Sequence, residues 1–321
     1  MMTPSSDQIL VFLAVVDSGS FSAAARALRR TQSAVTYAVQ TLEATMDVVL
    51  FDRSARLPVL TAAGAALLPN ARRIAQEIDA LRARIAGLHQ GLETELTLVV
   101  DAMFPMCHLL VALKAFAAAF PSVPTRIYVE SLGAAAQLVL DQTCMVGILG
   151  PVAVNLAGLD RFPAAPIKMV PVVAPSHPLA AGGGRVADED IRDHVQLVLT
   201  DRSELTQGQM YNVFSTRNWR LADLGAKHAM ALAGLGWGFL PLHLIDGDLA
   251  EGRLVRLHGG ILGRPETPTS LPMFFARRAN VASGPAARWM LAYLTEMPTD
   301  TTHAPPPRLH PFTQPLAVAQ G

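Results

Sequence analysis

At 321 residues, with 51% hydrophobic and 16% charged side chains, the chain has the length for two or three folded domains and too much apolar content for disorder. No apolar run reaches the ~20 residues of a membrane-crossing helix, because charges, Pro or Gly interrupt each one. The N-terminus lacks the basic-then-apolar pattern of a signal peptide, and Cys107 and Cys144 make no disulfide framework, so a reducing cytoplasm is the expected compartment. Formal net charge is zero, from 26 basic and 26 acidic residues. The N-terminal region is balanced as well: Arg26, Arg29, Arg30, Arg53 and Arg56 are matched by Asp7, Asp17, Glu43, Asp47 and Asp52. Any affinity for nucleic acid must then come from placed arginines and from oligomerisation, since no broad basic field exists.

In chain order, Ser5 and Gln8 fit a capping box, and Ile9, Phe12, Leu13 and Val16 follow at helical spacing. Asp17-Ser18-Gly19-Ser20 breaks this helix, and Ser20 or Ser22 caps a short second one over Ala23–Leu28. Arg29-Arg30-Thr31 turns the chain into a third, from about Gln32 to Thr45, with Val35, Val39 and Leu42 inward and Ser33, Thr36, Tyr37 and Gln40 on the opposite face. Two helices joined by a short turn, the second polar outside, form a helix-turn-helix. Val48–Leu60 reads as two short strands around Arg53-Ser54-Ala55-Arg56, a wing.

A long helix is expected from Thr61. Leu67, Ala71, Ile74, Ile78, Leu81, Ile85, Leu88 and Leu92 are spaced 4, 3, 4, 3, 4, 3 and 4 apart, the 3.5-residue period of a helix that supercoils on a partner. An ordinary amphipathic helix would drift off that repeat, so a dimerisation seam is the reading; Pro69 should kink the helix or mark its effective start. Beyond Leu92, strands (Leu96–Val100, Arg126–Val129, Val146–Leu149, Met169–Ala174, Val195–Leu199, Trp237–Leu240, Met273–Ala276) alternate with helices (Met106–Phe120, Ala134–Leu140, Ala226–Ala233, Pro285–Leu294). Such alternation implies parallel sheets with crossover helices. The Pro/Thr-rich tail after Met297 reads as disordered.

Residues Gln8 to Gly64 resemble the DNA-binding domain of LysR-type regulators. The residues that carry the likeness are Phe12-Leu13-Ala14-Val15-Val16, Gly19-Ser20-Phe21-Ser22-Ala23-Ala24-Ala25, Gln32-Ser33-Ala34-Val35-Thr36, Leu50-Phe51-Asp52-Arg53 and Leu60-Thr61-Ala62-Ala63-Gly64. Further on, His177-Pro178-Leu179-Ala180 and Ala233-Gly234-Leu235-Gly236-Trp237-Gly238 are similar to family motifs. The resemblance implies an α/β chain with a helical winged helix-turn-helix over 1–60 and a linker/dimerisation helix over 61–93. It implies a two-lobed, periplasmic-binding-protein-like (Rossmann-like) effector domain over 94–298, followed by the tail at 299–321. Lobe one would hold 94–163 and 268–298, and lobe two 164–267, with hinges near Phe162–Pro166 and Pro265–Pro272. It further implies a homodimer or homotetramer on a partly palindromic double-stranded operator, a small-molecule effector, and RNA polymerase as a partner.

Gln32 matches the family's base-reading glutamine, whose amide pairs with an adenine edge; the competing role is helix initiation. Ser33, Thr36 and Gln40 are expected at phosphates or waters. Tyr37 stands where many relatives carry a basic residue; its ring either meets a thymine methyl or packs on the domain's own surface. Arg30 is expected at a phosphate, and Arg53 and Arg56 in the wing, with Arg53 alternatively ion-paired to Asp52 or Glu43. For the effector, strand-end loops are expected to supply Asp101, Ala102, Met103, Phe104, Ser131, Thr200, Asp201 and Arg202, with Asp223, Leu224 and Gly225 at a helix N-terminus. Many relatives offer Ser or Thr to an effector's carboxylate where this chain has Asp101, which either points away from a simple anionic effector, toward a hydroxylated, amine-bearing or mixed-charge one, or serves as a helix cap.

An enzyme is disfavoured: there is no His-Glu-x-x-His, Gly-Lys-Ser/Thr or Gly-x-Ser-x-Gly, and the nine histidines lack metal-ligand spacing with cysteines. No catalytic residue, metal or cofactor is expected. A DNA-architectural protein would not need the two-lobed domain, and a redox sensor is disfavoured by the apolar settings of Cys107 and Cys144.

Overall fold

A computed structural model describes residues 3–54, 57–264, 267 and 269–297. The chain divides after His89 into two compact units.

In the first unit α1 (Ser6–Ser18) opens on the capping box: Gln8 N–H donates to Ser5 Oγ at 3.2 Å and Ser5 N–H to Gln8 Oε1 at 2.8 Å. Ser20 caps α2 (Phe21–Ala27) by accepting from Ala23 N–H, which starts the helix two residues earlier than its alanine run suggests. Thr31 caps α3 (Gln32–Met46) in the same way. Val35, Val39 and Leu42 of α3 close over Phe12 and Val15 of α1 and Ala24 of α2, together with Leu50 and Phe51. The wing is β1 (Phe51–Asp52) antiparallel to β2 (Val59–Leu60).

Helix α4 (Ala62–His89) starts where Thr61 Oγ1 accepts from Gly64 N–H at 3.0 Å. Gly64 is required by proximity, since a Cβ there would lie 2.3 Å from the Leu50 carbonyl oxygen. The helix continues through Pro69, so the proline neither ends nor begins it. Leu67 and Ala71 pack on the unit's own core, whereas Ile74, Leu81, Ile85 and Leu88 are exposed.

The second unit runs β3 (Leu96–Asp101), α5 (Met106–Ala119), β4 (Thr125–Glu130), α6 (Gly133–Leu140), β5 (Val146–Leu149), β6 (Leu159–Val173), α7 (Asp188–Asp193), β7 (Gln196–Leu199), β8 (Asn218–Leu221), α8 (Leu224–Leu232), β9 (Gly238–Pro241), α9 (Leu242–Ala250), β10 (Val255–Arg256), β11 (Ser270–Arg278) and α10 (Pro285–Glu296). Parallel pairing holds for β3 with β4 and β5, and for β7 with β8, as the alternation implies.

The sheet as a whole is mixed, because β11 runs antiparallel between β5 and β6. The two strands carry the chain out of one lobe and back again, so they must run in opposite senses. β6 is shared: Leu159–Lys168 pair with β11, and Met169–Val173 with β9 and β10. Of the expected hinge segments, 162–166 lies within this crossing strand and 270–272 at its return; Pro265, Glu266 and Pro268 lie outside the described residues, as does the tail.

Lobe one is closed by α10, whose Trp289 and Tyr293 are buried, with Trp289 ringed by Phe116 and Phe120. The Glu93 carboxylate caps α10 by accepting from Ala286 and Ala287 N–H at 3.0 and 2.9 Å. In lobe two the glycine turn before β9 exists for close packing: a Cβ on Gly236 would lie 2.5 Å from the Val195 carbonyl oxygen.

Candidate functional site

On the first unit, the capping of α3 by Thr31 and the burial of Val35, Val39 and Leu42 leave one helix face free. Gln32, Ser33, Tyr37 and Gln40 are exposed there and Thr36 is half-buried. Tyr37 is 71% exposed, so the alternative in which it packs on its own domain does not hold.

The nearby arginines are engaged. Arg30 makes a two-pronged ion pair with Asp7 at 2.8 Å for both contacts, and its guanidinium holds the Asp7 carboxyl below the usual carboxylate range. Such an exposed pair is weak, because solvent screens it, and it exchanges readily for another anion.

Arg53 is held more firmly. It donates to Glu43 at 2.9 Å and lies 5.1 Å over the Phe21 ring, while the same Glu43 accepts from Leu50 and Phe51 N–H at 2.8 and 3.2 Å. Glu43 thus ties α3 to the first wing strand, and Arg53 neutralises it. Of the two partners open to Arg53, Glu43 is the one found; Asp52 instead accepts from Ser54 N–H in the wing turn. Arg56 lies outside the described residues.

In the second unit, the shared strands leave a cavity of about 380 Å³ between the lobes. Lobe one contributes Met103, Leu132 and Val152, lobe two Gln196–Leu199, Met210–Asn212, Lys227 and Phe239, and the crossing strands Met169 and Ser270–Pro272. Of the strand-end residues expected to meet an effector, Met103 alone lines it.

The three carboxylates among the others are used by the protein itself, whereas Arg202 and Gly225 are exposed outside the cavity. Asp101 ends β3 only 1% exposed, its carboxylate accepting from Met103 N–H at 2.9 Å and Leu132 N–H at 3.2 Å. Burial pushes this carboxyl up to about 6, against the pull of the two amides. Asp101 is therefore a loop tether; it neither caps a helix nor faces the cavity.

Asp201 reaches across to lobe one. It accepts from Ala134 N–H in the first turn of α6 at 2.7 Å and from Ser203 Oγ at 2.7 Å, and it also holds Thr206. Ser131 is buried and Ala102 packs on the lobe core. Phe104 lines a separate depression with His108 and His243, and Thr200, Asp201 and Arg202 line another, polar one that shares Met210 with the cavity. Asp223 caps α8 through Ala226 N–H, taking the amide that an oxyanion there would need, and Leu224 is buried.

Lys227 was not anticipated. It is 4% exposed, lines the cavity, and donates to the Phe239 carbonyl oxygen at 2.7 Å. Pro171 stands opposite Phe239 in the strand pairing and has no N–H to offer that carbonyl. Burial pushes the Lys227 ammonium down to about 7. A signal was present in the sequence: Lys227 falls on the buried face of α8 between Leu224 and Ala231, at spacings of three and four, where a cation is out of place.

The histidines suggestive of other chemistry have structural partners; of the two cysteines, Cys144 is buried as expected and Cys107 is exposed, contrary to the apolar setting expected for it. His228 bonds to buried Asp248 at 2.6 Å, and His177 Nδ1 accepts from Leu179 N–H at 3.1 Å. Burial raises the Cys144 thiol to about 11, which makes it unreactive.

Residues 6–65 match the family model described as bacterial regulatory helix-turn-helix protein, lysR family, and residues 89–298 that described as LysR substrate binding domain. Similar curated proteins include the HTH-type transcriptional regulator AceR of Acinetobacter baumannii, 26% identical, with 91% of this chain and 97% of that protein covered. The HTH-type transcriptional regulator PunR of Escherichia coli is 28% identical, with coverage of 89% and 91%. Among solved structures, CrgA, a LysR-type regulator from Neisseria meningitidis, is 26% identical with a TM-score of 0.45, covering 92% of this chain and 99% of that one. A DNA-binding unit and a substrate-binding unit, both matched in the same order along one polypeptide, make this chain a member of the LysR family of transcription regulators, which act by binding DNA and effectors and are not enzymes.

Proposed function

We propose that this regulator senses a small molecule in the inter-lobe cavity and transmits it to an operator read by the outer face of α3. The observation that carries the reading is the cavity itself. Both lobes and both crossing strands line it, so an occupant touches every part whose relative angle differs between two lobe arrangements. Only a difference in affinity for the two arrangements shifts them, which sets a coupling of ~1–3 kcal/mol.

The division of labour is DNA reading by 1–60, self-association through the linker helix, and sensing by 94–298 in a cytoplasmic homodimer or homotetramer that meets RNA polymerase. The test is Val152→Trp, a half-exposed cavity wall residue outside the sheet. Ligands for the wild type are first found by a thermal-shift screen of cell metabolites. The variant, still cooperatively folded by circular dichroism, should lose their shift and their effect on operator affinity. An undiminished response with the cavity filled would exclude it as the sensor.

On DNA, Gln32 supplies the base contact, Ser33, Thr36 and Gln40 sit at phosphates or waters, and Tyr37 reaches the groove wall. Arg30 exchanges Asp7 for a phosphate. Gln32→Ala should weaken operator binding by ~1–3 kcal/mol while changing random-sequence binding little, measured by fluorescence anisotropy. Equal losses on both DNAs would show that Gln32 reads no base.

A further inference from the structure

We propose that the effector is an amphipathic carboxylate, its anionic end on Lys227 and its apolar body against Met103, Leu132, Val152 and Met169. This rests on the reading of the cavity as the sensor and adds the chemical class of its occupant. Two observations meet here.

The first is where an anion cannot bind. Backbone amides at the strand ends and at a helix N-terminus are natural carboxylate receptors. In this chain those amides already hold the protein's own carboxylates: Asp101 on Met103 and Leu132 N–H, Asp201 on Ala134 N–H, and Asp223 on Ala226 N–H. A carboxylate ligand would meet like charge at each of them.

The second is the cation left over. A buried ammonium without a counter-charge is costly, and buried charges are ordinarily paired. Lys227 has no carboxylate partner among the described residues; its one hydrogen bond is to the Phe239 carbonyl oxygen. Among the described residues no Asp or Glu lines the cavity, and Tyr211 is the only other titratable group there, its hydroxyl turned to Gln209.

Among the remaining polar lining groups, Gln196 is held by the protein, its Oε1 accepting from Phe214 and Ser215 N–H and one of its two amide N–H groups donating to the Asn212 carbonyl oxygen. The Ser270 hydroxyl and the Asn212 side-chain amide have no protein partner among the described residues, which leaves them for a hydroxyl or carbonyl on the ligand. One cation amid apolar walls matches a monoanion better than a phosphate, which asks for several donors. A volume of about 380 Å³ is at the small end of ligand pockets and suits a compact metabolite.

The bland role for Lys227, a donor to a carbonyl that faces a proline, predicts no preference for charge in the ligand. That difference is the test. Full-length protein is titrated calorimetrically with 3-phenylpropionate and octanoate, and with the amide and the amine of each. The acids should bind at least ~10-fold tighter than the amides at pH 6.5, and the amines should not bind. Because the free ammonium titrates near 7 and a bound carboxylate raises it, acid affinity should fall as pH rises from 7 to 9, approaching ~10-fold per unit, with proton uptake on binding; amide affinity should stay flat.

Lys227→Met and Lys227→Gln, the second keeping a donor for Phe239, should lose the acid preference and its pH dependence while still binding the amides. Acids and amides bound equally by the wild type, acid preference surviving in both variants, or no binding of any acid would each overturn the proposal. Loss of all panel binding in Val152→Trp, with acid preference unchanged in the Lys227 variants, would leave the cavity as sensor and remove only the anchor.

Discussion

Replacing Ile78 and Ile85 with glutamate is expected to turn the regulator into a monomer and to weaken operator binding about a hundredfold or more. Leu67 and Ala71, the first members of the heptad stripe, are spent on the core of the DNA-binding unit, next to Phe12 and Leu42. Between these and Leu92, which packs on the core of the second unit, the stripe has no such use: Ile78 is half-buried, Leu81 is 58% exposed and Ile85 and Leu88 nearly half, on a 28-residue helix. Each such side chain gains ~1.5–3 kcal/mol when fully buried, so several per helix on a symmetric seam suffice for a stable dimer.

Glutamates at 78 and 85 would place four carboxylates along that seam, two from each copy, where desolvation and mutual repulsion both oppose association. Neither residue belongs to the core of the DNA-binding unit, so that unit should keep its melting transition. Sedimentation velocity reads the assembly and anisotropy the operator affinity. A variant that remains dimeric with full affinity would place the interface elsewhere.

What the sequence disclosed follows from what is periodic. The capping box at Ser5 and the Thr31-capped helix with Val35, Val39 and Leu42 inward are local patterns with one physical meaning each. The 15-residue strand β6 was visible only at its end, because Pro163 and Pro166 make the preceding segment read as a hinge. Those prolines are tolerated where the strand changes partners between lobes and the ladder asks less of each N–H. Mixed pairing in the sheet has the same origin, since nothing local in Met273–Ala276 tells that it returns antiparallel between β5 and β6.

The effector site was the least legible part. Loops at strand ends are receptors by default, and no sequence pattern tells that Asp101 turns back onto the Met103 amide while Asp201 takes the Ala134 amide of the other lobe. Lys227 was the readable clue, a lone cation on the apolar face of α8.

The second large effect concerns Asp101. Asp101→Ala should destabilise the effector domain by ~2–4 kcal/mol at neutral pH, because it strands two buried amides at ~1–3 kcal/mol each and regains part of that by removing a buried charge. The Leu132 amide matters most: Leu132 sits at φ 54, a conformation a branched side chain avoids, and the bond from Asp101 helps to hold it there. Gly150 completes the fit, since a Cβ on it would lie 2.8 Å from Asp101 Oδ2.

A pH experiment separates this tether from a ligand contact. The carboxyl titrates at about 6 in the folded domain and near 3.8 unfolded, so between those values the folded state holds the extra proton. The group's contribution to stability is therefore greatest below pH 4 and declines as pH rises through 6, by ~3 kcal/mol in all. Asp101→Asn cannot titrate and should lack that decline, so the gap between wild type and variant in urea unfolding should change with pH across this window. Parallel curves would show that Asp101 is not buried as a carboxyl. A change of ligand preference in Asp101→Asn, with stability untouched, would return it to the effector site from which its two amide bonds remove it.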